Sequence, residues 1–239
     1  MKNIIKISCL FFIILFLNGC ESISLLKVDA PKKLLSEETH LITGNGPVVG
    51  YIDKLGIHKW LGIPYAEPPT IDLRWKAPRE INSWEFVKEA NSFSDPCVQF
   101  QSSLTADGLV KAGEIVGSED CLYLNIYAPS PKKGVKNNNN NNNKLLPVMV
   151  WIHGGGNTTG MPSEYHPEVF VQSEDIIFIS ISYRLGIFGW LSHPLIRQQD
   201  GFDATSNFGL LDQIMALKWI NKNIEFFGGN PNNVTIFGE

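Results

Sequence analysis

Three consecutive glycines, Gly154, Gly155 and Gly156, follow His153 directly after an apolar run over residues 145–152. Glycine lacks a Cβ, so the backbone can take φ > 0 and its N–H groups can crowd onto one external point. Converging amides make an anion hole. In acyl transfer, donors aimed at the oxyanion of a tetrahedral intermediate lower the barrier by about 3–4 kcal/mol each. A glycine triplet is also what a tight strand-to-loop turn looks like. The choice between the two depends on the elements that would hold it.

The chain has 239 residues, 44% hydrophobic and 18% charged, with a formal net charge of -4, which describes a globular chain. No long basic run is present, so nucleic acid is excluded as a partner. Residues 1–22 read as a signal peptide: Lys2 and Lys6 precede an apolar core from 7 to 17, and Asn18, Gly19, Cys20, Glu21 and Ser22 follow. That core is shorter than the ~20 residues a membrane span needs, so no transmembrane span is expected and the chain is assigned to the secretory pathway. A competing reading takes Leu17-Asn18-Gly19-Cys20 as a lipoprotein box that anchors the chain through Cys20. Beyond the leader only Cys97 and Cys121 are left. In an oxidising compartment a disulfide between them is expected, with two buried free thiols as the other reading.

Residues 40–60 read as antiparallel hairpins at a sheet edge, and the proline-rich residues 61–79 as irregular. A strand is expected over 122–128. Residues 130–144, with seven asparagines at 137–143, read as a low-complexity surface loop. The continuous apolar run 175–183 suits a strand in the middle of a parallel sheet. Helical spacing of Leu210, Ile214, Leu217, Ile220 and Ile224 predicts a helix over 209–224 buried on that face, with Asn207 available as its cap. A last short strand is expected at 234–237.

Three stretches now agree: E-D-C-L-Y-L-N-I-Y at 119–127, the H-G-G-G loop, and F-G-G with V-T-I-F-G-E at 227–239. Together with S-Y-R-L-G-I-F-G at 182–189 and G-L-L-D-Q at 209–213, they resemble the type-B carboxylesterase and cholinesterase family from about residue 41 onward. The resemblance implies an α/β fold: the N-terminal portion of an α/β-hydrolase, with a mostly parallel central sheet and an antiparallel N-terminal edge, truncated at the nucleophile elbow. Residues 23–239 would then be an incomplete domain of that type. It implies a secreted serine esterase for a small-molecule ester, with no cofactor and no metal. Gly155 and Gly156 would be the oxyanion-hole donors, and His153 a loop-shaping residue.

The nucleophile is expected directly after Glu239, with acid and base later still, so none of the catalytic triad is present and the chain as given is expected to be inactive. His40, His58, His166 and His193 do not sit where the family keeps its base. The alternative is a non-catalytic relative, like the neuroligins that use this fold for adhesion, or a truncated gene product; no partner protein is indicated. The resemblance also implies two partly buried ion pairs, Arg74 with Glu119 and Arg184 with Asp212. This chain departs from the family in three places. No tryptophan lies between Cys97 and Cys121, so choline binding has no support. Asn157 replaces a bulky apolar residue, and Asn230 an aspartate in a turn. The sequons at Asn157 and Asn233 are expected to be unmodified, the first in the glycine loop and the second entering a buried strand.

Overall fold

The structure is a computed structural model and describes residues 33–101, 113–130 and 145–239. The expected leader, Cys20 and the asparagine tract lie outside the described residues. Eleven strands occur among the described residues. Leu41–Ile42 (β1), Pro47–Val49 (β2), Tyr51–Ile52 (β3) and His58–Pro64 (β4) come first. Lys88–Glu89 (β5), Gln99–Phe100 (β6), Ile115–Val116 (β7) and Tyr123–Ala128 (β8) follow, then Leu146–Ile152 (β9), Ile177–Ile181 (β10) and Gly229–Gly238 (β11). Six of them form the central sheet in the order β11-β9-β10-β8-β4-β3, while β1-β2-β5 and β6-β7 make two small sheets.

Within the central sheet, parallel pairing is confined to β10 with β9 and β9 with β11. Strands β3, β4, β8 and β10 pair antiparallel in succession, so in these residues the antiparallel part is wider than an edge. Connection length explains this. A parallel neighbour needs a crossover, which these residues supply only after β9 through Glu168–Glu174 (α1) and after β10 through a helical segment. That segment holds Gly186–Trp190 (α2), Pro194–Arg197 (α3) and Phe208–Asn223 (α4).

The pleat separates two apolar layers. On one face Leu124, Ile126, Val148, Val150, Ile177, Ile179 and Ile181 pack with Ala216, Trp219 and Ile220 of α4. On the other, Tyr127, Phe178 and Leu61 pack with Val171 of α1. All five residues of β10 are buried, as its unbroken apolar run requires. Lys59 on β4 is only 7% exposed, and bonds to Asp53 at 2.8 Å and Glu168 at 2.6 Å fasten α1 to the sheet.

Two expectations fail locally. β4 continues through Leu61, Gly62 and Ile63 to Pro64, into the stretch expected to be irregular. A bulge between Trp60 and Ile63 makes this possible, because the Gly62 amide finds Asn125 Oδ1 at 2.9 Å and proline, at the strand's last position, has no amide to satisfy. Helix α4 is where it was expected, but turned. Leu210 and Ile214 are 45% and 41% exposed, and the buried face carries Phe208, Asp212, Ala216, Trp219, Ile220 and Asn223. Asp212 is drawn inward by Arg184 and Trp219 by Phe227, which fixes the rotation. The Asn207 side chain makes no capping bond. At the far end of α4, Asn223 Oδ1 accepts from Gly44 N at 2.9 Å, and its Nδ2 donates to Trp219 O at 3.0 Å. The β1-β2 turn is thereby tied to a residue far along the chain.

Candidate active site

Strand β9 ends at Ile152, and the glycine loop begins with a buried anchor. His153 is 3% exposed, its ring stacks on Tyr183 with centroids 4.5 Å apart, and its carbonyl accepts from Tyr183 Oη at 2.7 Å. Burial lowers the His153 pKa below the usual imidazole value, against upward pulls from the Gly154 carbonyl and Glu239, so the ring is neutral at pH 7. The buried ring thus anchors the start of the loop to Tyr183.

Past Gly154 the backbone turns left-handed, with φ of 98° at Gly155, 61° at Gly156 and 60° at Asn157. At Gly155 a side chain is excluded twice over, because a Cβ would also collide with the Thr159 carbonyl. Two of the loop's carbonyls are taken up. Gly155 O accepts from Thr158 N at 3.1 Å and Thr159 N at 3.2 Å, and Asn157 O accepts from Gly186 N, at the start of α2, at 2.7 Å. The amides of Gly155 and Gly156 are left over. Both residues are exposed, and among the described residues neither N–H has a hydrogen-bond partner.

Glu239 follows the end of β11, next to β9, and approaches Gly154 so closely that a Cβ there would strike its Cγ. Its Oε1 accepts from Tyr165 Oη at 2.8 Å, and the Tyr165 ring lies 4.4 Å from that of Trp151. Burial and this bond to Glu239 push the Tyr165 phenol up to about 12. The two parallel strands thus bring the glycine loop and residue 239 together.

Cys97 and Cys121 have their Sγ atoms at bonding distance, 2.03 Å. Arg184 and Asp212 meet twice, at 2.8 and 2.7 Å, with 3% and 0% of their side chains exposed. The two pairs lie at different depths: Glu119 is partly buried as expected, with 22% of its side chain exposed, but the other pair is not. Arg184 and Asp212 are wholly inside, between α4 and the end of β10, whereas Arg74 is 40% exposed where it meets Glu119 at 2.5 Å. A proline-rich surface segment carries Arg74, whose guanidinium lies 5.9 Å from the centre of the Trp75 ring. Asn233 is exposed because β11 is the outer strand of the sheet, contrary to the buried strand expected there. Asn230 closes a turn by accepting from Asn232 N at 2.9 Å.

Sequence reasoning missed Gln99, Tyr165 and Tyr183. Each sits in a short or irregular segment, where no periodicity marks an inward-facing polar group.

The sequence profile described as "Carboxylesterase family" matches residues 37–239. The cocaine esterase of Oryctolagus cuniculus is 43% identical over 187 residues, which are 77% of this chain and 32% of that protein. The para-nitrobenzyl esterase of Bacillus subtilis (strain 168) is 41% identical over 206 residues, 84% of this chain and 38% of the relative. A solved PNB esterase superposes with a TM-score of 0.70 at 39% identity, over 84% of this chain and 38% of its own. The chain thus spans about a third of the length of these relatives.

Proposed function

The chain belongs to the carboxylesterase family and has its α/β-hydrolase fold, and from that premise we propose that residues 23–239 supply the oxyanion-binding part of a serine esterase acting on small-molecule carboxylic esters. The observation that carries the reading is the pair of exposed, unpartnered amides at Gly155 and Gly156, held beside Glu239. Such donors are useful where negative charge develops on a carbonyl oxygen, and less so for a neutral ligand. In this reading the serine nucleophile would come directly after Glu239, with the acid and histidine after it in that order. Residues 1–239 by themselves would then hold the oxyanion donors without that triad. Residues 1–22 direct secretion, and the Cys97–Cys121 bridge belongs to that oxidising route.

Turnover of a p-nitrophenyl ester tests the reading, measured for residues 23–239 and for the full-length product of the gene. Hydrolysis by the full-length product, abolished by a serine-directed organophosphate, is expected. Residues 23–239 should match buffer. Organophosphate-sensitive turnover by that fragment would overturn the assignment of the nucleophile. A full-length product with no turnover would favour the non-catalytic, adhesion-type reading.

A further inference from the structure

Gln99 is 5% exposed on the short strand β6, two residues past Cys97, and its side chain reaches across to the far end of the glycine loop. Its Oε1 accepts from Thr159 Oγ1 at 2.7 Å and from Gly160 N at 2.8 Å. Its Nε2 donates to Gly160 O at 2.9 Å and to Cys97 O at 3.1 Å. The amide is used on both sides, with two protons given and two lone pairs filled. Gly160 is gripped through both its N–H and its C=O, as a neighbouring strand would grip it.

The grip is passed on to the donors. Thr159, which bonds Gln99, gives its N–H to Gly155 O at 3.2 Å, and its carbonyl lies so close to the Gly155 Cα that no Cβ fits between them. On the other side Gly160 packs against the His153 ring, again with no room for a Cβ. The loop is therefore closed at its base between His153 and Gln99, while its tip is exposed and tied to α2 through Asn157 O and Gly186 N.

We propose that Gln99 is a positioning residue that fixes the Gly155 and Gly156 amides by clamping Thr159 and Gly160 to the disulfide-closed segment. This rests on the reading of those two amides as oxyanion donors. Only glutamine has both the reach and the mixed donor and acceptor chemistry. Glutamate would leave the Gly160 and Cys97 carbonyls facing a carboxylate, asparagine is one methylene short, and leucine leaves all four partners unmatched.

The test uses Gln99→Leu and Thr159→Val in the full-length gene product, with active sites counted by organophosphate titration. A displaced loop should lower kcat per active site by about 10- to 100-fold for Gln99→Leu, since a misplacement of ~1 Å can remove about 100-fold. KM should stay within about 2-fold, because the donors act on the transition state. Thr159→Val breaks one bond of the clamp and should lower kcat by a smaller factor in the same direction. It also covers the case in which Gln99→Leu does not fold. Unchanged kcat per site in both variants, or in Thr159→Val where Gln99→Leu yields no folded protein, would overturn the proposal and leave Gln99 a purely structural residue. Hydrogen exchange at the Gly160 amide separates the two levels. If the wild type hydrolyses no ester, the esterase reading and the catalytic part of this proposal fall together, while faster exchange at Gly160 in Thr159→Val still demonstrates the clamp. Unchanged exchange there removes the clamp as well.

Discussion

Arg184 with Asp212 and Arg74 with Glu119 make the same two-toothed arginine–carboxylate contact in two different media. The first pair is sealed between α4 and the end of β10, and Asp212 also accepts from Arg184 N at 3.1 Å. The second lies at the surface of a proline-rich segment, with Arg74 40% exposed. Distances do not tell them apart, since all four side-chain bonds fall between 2.5 and 2.8 Å. What differs is the state left behind when one partner goes. A surface partner returns to water, whereas a buried one is stranded.

Removing a carboxylate from the sealed pair should have the largest effect. Asp212→Ala is expected to destabilise the chain by about 3–5 kcal/mol, because it leaves the Arg184 guanidinium buried and unpaired. Denaturant unfolding measures this, and Arg184→Met combined with Asp212→Leu should recover most of the loss. A double variant no better than Asp212→Ala would mean that the ions themselves, and not the stranded charge, matter.

A second surface pair adds a titration to the contrast. Asp203 meets Arg79 at 2.6 Å with 19% and 41% of their side chains exposed, close to the 22% and 40% of Glu119 and Arg74. Burial alone would raise its pKa, but the Arg79 bond and the Ala77 amide outweigh it and hold Asp203 below its ordinary value of 3.8. A depressed folded pKa means that the unfolded chain takes up the proton first. The stabilisation is thus present above the ordinary value and lost as pH falls below it. The stability gap between wild type and Asp203→Asn should accordingly be constant from pH 7 to about 5 and shrink below about 4. A gap that widens on acidification would reverse the sign.

Arg74→Ala should do least, at about 0–1 kcal/mol, and that little should vanish in molar salt, where the screening length is ~3 Å. A larger, salt-independent loss would put the Arg74 pair in the same class as the buried one.

The identities of both pairs could be inferred from the sequence, by resemblance, but their depth could not, because depth depends on what covers a residue. The same limit applied to α4. Its position was legible from apolar spacing, yet its inner face is partly built from Asp212, Ala216 and Asn223, whose burial is set by partners elsewhere in the chain. Strand β10 was easier, since its long buried run, apolar but for Ser180, reads as a strand regardless of its neighbours. The glycine loop could be read because φ > 0 leaves a compositional mark. Gln99 left none, being one polar residue with partners 60 and 61 positions away.

The tie between Gly44 and Asn223 also sets an order of events in time. The amide at the β1-β2 turn has its acceptor 179 residues downstream, and that acceptor is the last residue of a helix. During synthesis at ~5–20 residues per second, the turn would wait on the order of ten to forty seconds before Asn223 is made. Until then the N-terminal hairpin can only be provisional, and its final closure reports that α4 has docked. A chain this dependent on distant contacts should fold slowly for its size. Protection of the Gly44 amide in a pulse-labelling experiment should therefore appear with that of α4, and later than that of the β3-β4 hairpin.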